Sequence, residues 1–322
     1  MSRVHDALRR AERAGMFQPT QGSPIATTMV PAYAQQALQN ASAMANDPVN
    51  LQGLLEKIEE IPFRPLADAH LIDPTRPSEA PSEEFRSLRT RLNHMQSLSP
   101  IHAIVVTSPS PAEGKSFTAV NLALAQSHLA GNLTLLGDFD FRRPIVHTLF
   151  QVDRSPGVTD FLLGRAKLHE IIKKISGTNL YIMPAGEAVL NPLELLNLRE
   201  VKSMIDRLPS LFNWVILDTP PLLFAADANL LSTMSHGTLL VVRIGTTTID
   251  SVTRAMQSLC ENNVLGISVN GARRGELYSR YTYYHSYYYS TEAKAREDGE
   301  AEALSRAEEA AEKAESAEKQ ES

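Results

Sequence analysis

The stretch Thr107-Ser108-Pro109-Ser110-Pro111-Ala112-Glu113-Gly114-Lys115-Ser116-Phe117 decides how the rest of this chain is read. It follows an apolar run at 103–106 and opens onto Thr118-Ala119-Val120-Asn121-Leu122-Ala123-Leu124-Ala125, which has the composition of a helix. A strand, a tight loop ending in Gly-Lys-Ser and a helix make the layout of a phosphate-binding P-loop. In such a loop the backbone N–H groups of residues 110–117 (Ser110, Pro111, Ala112, Glu113, Gly114, Lys115, Ser116 and Phe117, the proline excepted) and the helix N-terminus face the phosphates. Gly114 permits close approach, Lys115 reaches the outer phosphates and the Ser116 hydroxyl can hold Mg²⁺. The eight-residue pattern normally begins with glycine, and Pro109 stands there instead. Gly-Lys-Ser also occurs by chance in surface turns, so its weight rests on the residues around it.

Downstream of the loop the pattern alternates. Apolar runs at 103–106, 133–136, 180–183, 214–217, 238–242 and 265–269 predict buried parallel strands. Helical stretches are predicted between them at 115–130, 168–175, 193–208, 227–234 and 251–262. Continuous apolar strands joined by crossover helices imply an α/β fold, a mainly parallel sheet covered by helices on both faces. Such sheets bind ligands beyond the C-terminal ends of their strands. The second run ends in Gly137-Asp138-Phe139-Asp140-Phe141-Arg142-Arg143-Pro144, and the fourth in Asp218-Thr219-Pro220-Pro221. Asp138 and Asp140, two apart in extended chain, point the same way. Apolar residues followed by Asp218 form the Walker B arrangement, whose carboxylate supports Mg²⁺ directly or through water. One strand-end aspartate is usually a cap or turn residue; three at these ends, downstream of Gly-Lys-Ser, point to a nucleotide site.

The flanks are of a different kind. Residues 1–15 read as a short basic amphipathic helix, with Val4, Leu8 and Ala11 on one side and Arg3, Arg9, Arg10 and Arg13 around them. A docking segment and a solvated terminus are equally open for it. Residues 16–80, rich in Ala, Gln and Pro, read as a linker with a short helix at 51–60. The domain proper is expected at 81–275. A helix over 82–95 begins it, N-capped by Ser82, with Phe85, Leu88 and Leu92 on its apolar face and Glu83, Arg86 and Arg89 along one charged side. A cluster at 276–290 holds Tyr278, Tyr281, Tyr283, Tyr284, Tyr287, Tyr288 and Tyr289, seven of the nine tyrosines in the chain. It has neither helix nor strand spacing and no aliphatic partners, so it is not a core. Residues 291–322 are rich in Glu and Ala and carry eleven acidic and five basic side chains. That alone accounts for the net charge of −6, and it leaves a neutral body that gives no support to nucleic-acid binding. The single cysteine, Cys260, excludes an internal disulfide. No run of about 18 apolar residues is present, and the N-terminus lacks a signal-peptide core, so a cytoplasmic location is expected.

Taken together, these motifs resemble the bacterial tyrosine kinases (BY-kinases) of polysaccharide assembly, of the cytosolic CpsD/CapB type. The resemblance covers about residues 78–290. It rests on Pro111 and Gly114-Lys115-Ser116 in the Walker A loop, and on Asp138, Asp140, Arg142 and Arg143 in the extra Walker A′ segment. It also rests on the 215–221 segment, on Gly157-Val158-Thr159-Asp160 and on Asn191-Pro192-Leu193-Glu194. The resemblance implies a P-loop NTPase fold, and an ATP- and Mg²⁺-dependent autokinase whose phosphoacceptors are the seven clustered tyrosines; the flexible N- and C-terminal extensions are expected from composition, and residues 291–322 depart from the family's pattern. It implies catalytic roles for Lys115, Asp138, Asp140 and Asp218, with Asp138 as the base. Ser116 and the three aspartates would serve Mg²⁺, and Arg142 would join the nucleotide site. Glu83, Arg86 and Arg89 are similar to the family's oligomerisation motif, which implies a ring of copies and transfer between neighbours. Cytosolic members need a membrane-embedded activator of the chain-length-determinant type, so recruitment to the inner face of the membrane is expected, alongside protein tyrosine substrates. Two alternatives remain at this level: a partition-type ATPase and a nucleotide-gated scaffold. Partition ATPases place an additional lysine where Ser110 stands here, which argues against that branch.

Overall fold

The computed structural model describes residues 51–64, 69–72, 81–259 and 264–272 of the 322-residue chain. The basic N-terminal segment, Cys260, the tyrosine cluster and the acidic tail lie outside the described residues. All six predicted strands are present: β2 (Ala103–Thr107), β3 (Thr134–Asp138), β5 (Leu180–Met183), β6 (Trp214–Asp218), β7 (Gly237–Arg243) and β8 (Val264–Asn270). They are mutually parallel in the order β5-β3-β6-β2-β7-β8.

Alternation along each strand sends side chains to two separate cores. Ala103 and Val105 join Leu135, Val215 and Leu217 on one face, where Val201, Met204 and Ile205 of a helix at Arg199–Arg207 cover them. Ile104 and Val106 join Leu136 and Ile216 on the other face, under the P-loop helix at Lys115–Ser127, which buries Ala119, Val120, Leu122, Ala123 and Leu124. A sheet buried on both sides explains why its strands carry unbroken apolar runs. The helix at Ser82–Leu98 lies against the P-loop helix through the edge-on pair Phe85 and Phe117, with ring centroids 5.8 Å apart. Ser82 begins that helix instead of capping it, and Pro81 occupies the cap position, with no side-chain hydrogen bond from the cap.

Three other segments differ from the sequence reading. The helix expected at 168–175 ends at Ile171, and Lys173–Ile175 forms strand β4, antiparallel to β5. The β-branched Ile172 and Ile175 favour extended backbone on either side of Lys173 and Lys174 once the segment can pair. The stretch expected as a helix at 193–208 divides into Pro192–Leu196 and Arg199–Arg207, with Leu198 extended between them. Within the stretch read as linker, Leu51–Leu55 is helical and Glu59–Ile61 forms edge strand β1, parallel to β4. Glu59 sits opposite Lys173 and Glu60 opposite Lys174, with ion-pair distances of 2.6 and 3.1 Å. Leu54, Leu55 and Ile58 anchor this segment on the first core. A three-residue strand bearing two glutamates has no hydrophobic pattern of its own; the cross-strand charge pairs set its register.

Among the described residues no helix is long and apolar enough to cross a membrane.

Candidate nucleotide and phosphoryl-transfer site

The parallel order brings the motif-bearing strand ends side by side. Strand β6 lies between β3 and β2, and Asp218 is paired in register with Asp138 on one side and with Val106, just before the P-loop, on the other. The two Walker carboxylates, eighty residues apart in sequence, are therefore neighbours because their strands are.

Gly114, which precedes the P-loop helix, has φ of +97°, a left-handed conformation open to glycine. A Cβ there would also lie 1.9 Å from Asn270 Nδ2. Ala112 takes φ of +62°, an unusual value for a residue with a side chain. The loop is held in this shape by the buried Glu113 side chain. Its Oε2 accepts from the Ser110 N–H at 2.8 Å, and its Oε1 accepts from the Thr247 hydroxyl. Asn270 Nδ2 donates to the Glu113 carbonyl at 2.9 Å, and Arg243 Nη1 donates to the Ala112 carbonyl at 3.2 Å. The Ser110 N–H is thus engaged within the loop itself. Thr247, Arg243 and Asn270 are supports that motif reading passed over. The available signal was their position: each follows or ends a strand at the same edge as the aspartates. Thr247→Val removes the hydroxyl bond to a buried carboxylate, worth about 1.5–3 kcal/mol. We expect nucleotide affinity to fall by about tenfold or more with the maximal rate retained, as measured by titration with a fluorescent nucleotide. Unchanged affinity would show that the Thr247 bond does not shape the loop.

Lys115 occupies the centre of the carboxylates. Its Nζ donates to Asp140 Oδ2 at 2.7 Å and to Ser116 Oγ at 3.1 Å, and it lies 3.7 Å from Asp218 Oδ1. Burial pushes its pKa down, but the charges of Asp218, Asp140 and Asp138 outweigh this and hold the ammonium above its ordinary value. Asp138 is fully buried. Its Oδ2 accepts from the Ile145 and Val146 N–H groups, both at 3.0 Å, and its Oδ1 from the Asp140 N–H at 3.2 Å. Burial first, and the charge of Asp218 second, push its pKa up to about 8. Asp218 is also fully buried, and neither of its oxygens has a hydrogen-bond partner. Burial raises its pKa against the opposing pull of Lys115. Asp140 Oδ1 accepts from the Arg143 N–H at 3.0 Å.

The other predicted site residues are placed differently. Arg142 makes a two-point contact with the buried Asp227, at 2.9 and 3.1 Å, which ties the A′ segment to the helix at Asp227–Met234. Phe117 packs against Phe85. On the helix at Ser82–Leu98, Glu83 and Arg86 form an exposed ion pair. Arg89 instead donates to the Ala125 carbonyl near the end of the P-loop helix, at 2.9 Å.

Mg²⁺ and a nucleotide fit these residues. A buried carboxylate with two unpartnered oxygens is costly unless a cation or donor meets it. Asp218 is such a group, with the Ser116 hydroxyl and Lys115 beside it. No cluster of three His, Cys, Asp or Glu side chains arranged to hold a metal occurs among the described residues. A Mg²⁺ here would therefore rely on phosphate oxygens and water for most of its coordination, the usual habit of this ion.

No family model matches the chain. Tyrosine-protein kinase YwqD of Bacillus subtilis is 32% identical to it over 217 residues, which are 67% of this chain and 91% of YwqD. The chain belongs to the bacterial tyrosine-protein kinases. This kinase shares 27% identity with the kinase domain of Escherichia coli tyrosine kinase ETK, with a TM-score of 0.59 over 68% of this chain and 90% of that one. The chimerical protein CapA2B2 gives 29% identity and a TM-score of 0.60, over 67% and 94% of the two chains. The match to tyrosine-protein kinase wzc of Salmonella typhimurium is 30% identical but spans 29% of that longer protein. Membership of this family sets aside the partition-ATPase and scaffold readings. The P-loop NTPase fold of the kinase is the one expected from its motifs.

Proposed function

We propose that this kinase uses Mg²⁺ and ATP to phosphorylate its own tyrosines at 278–289, by transfer between copies, and that it acts in the synthesis and export of a surface polysaccharide. The observation that carries the reading is Lys115 set among Asp138, Asp140 and Asp218 beneath a loop whose Gly114 is left-handed. Lys115 and the loop N–H groups would hold the outer phosphates, and Ser116 would hold Mg²⁺ with Asp140 and Asp218 arranging its waters; the ion when bound supplies positive charge for the transferring phosphoryl group. Arg142 supports the site from outside through Asp227.

Asp138 serves as the base in this reading. A carboxylate titrating near 8 is better matched to the proton of a tyrosine hydroxyl, pKa near 10, than an ordinary aspartate is. Three backbone N–H groups use three of its roughly four acceptor positions, which leaves one for the proton. Each phosphate would add about −1.5 to −2 charges to the cluster, next to an acidic tail, and this repulsion would loosen a ring of copies. The Glu83, Arg86 and Arg89 motif supports the ring. The family resemblance supports a separate membrane-embedded activator that recruits the kinase to the inner face of the membrane, and further protein tyrosine substrates.

Incubation of the full chain with Mg-ATP and a cytoplasmic activator fragment, followed by mass spectrometry, tests this directly. The expected result is phosphate on several tyrosines within 278–289. ATP turnover with no phosphotyrosine would overturn it.

A further inference from the structure

The turn that follows strand β3 is held from two sides. On its inner side the backbone serves the aspartates: the N–H of Arg143 donates to Asp140, and those of Ile145 and Val146 donate to Asp138. On its outer side Arg142 reaches across to Asp227, 85 residues away in the chain. Its Nε donates to Asp227 Oδ2 at 2.9 Å and its Nη2 to Asp227 Oδ1 at 3.1 Å, so one planar group is gripped at two points. The pair thereby ties the segment that follows Asp138 to the segment that follows Asp218. Its two ends differ. The Arg142 side chain is nearly half exposed, and Arg143 and Ile145 beside it are exposed too. Asp227 is fully buried and opens the helix at Asp227–Met234. That helix is wedged by Leu231 in the core that holds Leu195 and Leu196, and by Ala228 in a third cluster with Leu222 and Leu240. The helix is therefore the fixed end and the turn the end that is held. A buried carboxylate stripped of its cation is costly, which keeps the guanidinium in place.

We propose that Asp227 is a positioning residue for phosphoryl transfer: through Arg142 it keeps the 140–146 turn closed on Asp138 and Asp140. The step from grip to rate rests on the autokinase reading above; the grip itself does not. The three N–H groups of the turn orient the two carboxylates, so a turn released on its outer side carries those donors away from them. A shift of about 1 Å at a reacting group can cost about a hundredfold in rate. The nucleotide is a separate matter. Two of the Arg142 donors are committed to Asp227, and the phosphates are left to Lys115 and the P-loop, so the grip should act on the rate and not on nucleotide affinity.

The test compares the full-length unaltered kinase with Arg142→Gln and with Arg142→Gln combined with Asp227→Asn. Arg142→Gln strands a buried carboxylate, so its urea midpoint should fall. The double variant removes the stranded charge and should recover the midpoint, but it has no guanidinium fork. Hydrogen exchange by mass spectrometry reads the turn itself. Amides within 140–146 should exchange about tenfold faster in both variants, while those of the P-loop helix keep their protection. Transfer to tyrosine at saturating Mg-ATP should fall about tenfold or more in both, with the half-saturating ATP concentration within about twofold. The rate therefore follows the fork and not the midpoint. A rate that recovers with the midpoint overturns the proposal and leaves the pair a source of stability alone. Unchanged exchange at 140–146 also overturns it, as does a loss confined to ATP affinity. If the unaltered kinase makes no phosphotyrosine, the autokinase reading fails, and the exchange data still decide whether Asp227 holds the turn.

Discussion

Replacing Lys115 with methionine is expected to lower phosphoryl transfer by roughly a thousandfold or more, the cost of removing a preorganised charge aimed at a transition state. Methionine keeps an unbranched side chain of similar length, so the loss belongs to the ammonium. The same change should destabilise the protein without ligand. Lys115 is the counter-charge that lies 2.7 Å from Asp140 and 3.7 Å from Asp218, and Asp138 also feels it. Without it, three buried carboxylates must either share their negative charge in a low-dielectric site or take up protons. Protonation is easier at lower pH, so the drop in the urea midpoint should be larger at pH 8 than at pH 6. Transfer within tenfold of the unaltered kinase would refute the placement of Lys115 at the reacting phosphate.

Asp218→Asn is expected to lower the transfer rate by about 10²–10³, yet to leave the ligand-free protein no less stable at pH 8. The reason is linkage. Asp138 titrates near 8 in the fold and near 3.8 in the unfolded chain, so between these values the native state binds more protons. Its stabilising contribution is complete below the lower value and is lost as pH rises towards the upper one. Asp218 acts in the same direction through its raised pKa. Burial first, and nearby positive charge second, lower the pKa values of His128, His147 and His236, which opposes this trend at acid pH. These contributions flatten about one unit above the unfolded histidine value of about 6.5, so the window of about pH 7.5–8.5 isolates the carboxylates. Denaturant unfolding should show stability of the unaltered kinase falling across that window. The fall should be shallower in Asp218→Asn, because Asp138 loses its negative neighbour. Identical slopes for the two proteins would mean that the Asp138–Asp218 pair is not electrostatically coupled.

Much of this kinase is legible without coordinates, and the parts that are not share one character. The six parallel strands announce themselves because a strand buried on both faces must be apolar throughout. Gly114-Lys115-Ser116, Asp138, Asp140 and Asp218 announce themselves because phosphate and Mg²⁺ chemistry restricts which residues can stand at a strand end. Strands β1 and β4 are silent, since short charged edges take their pairing from a neighbour and not from a pattern of their own. The supports of the loop are silent for the same reason: the hydroxyl of Thr247 and the amide of Asn270 gain their roles only by lying against Glu113, more than 130 residues earlier in the chain. Arg142 carries a family motif, yet its guanidinium is claimed by Asp227, which no local rule pairs with it.

The sequence by itself therefore determined the class of fold and singled out the Gly114-Lys115-Ser116 loop, the three strand-end carboxylates and the tyrosines that follow them, all of which are local patterns. Only the tertiary structure decided that Asp138 and Asp218 face each other across paired strands, that Lys115 is their counter-charge, and that Glu113 braces the loop from within. These are properties of proximity between distant segments, and proximity is set by the order in which the strands pair.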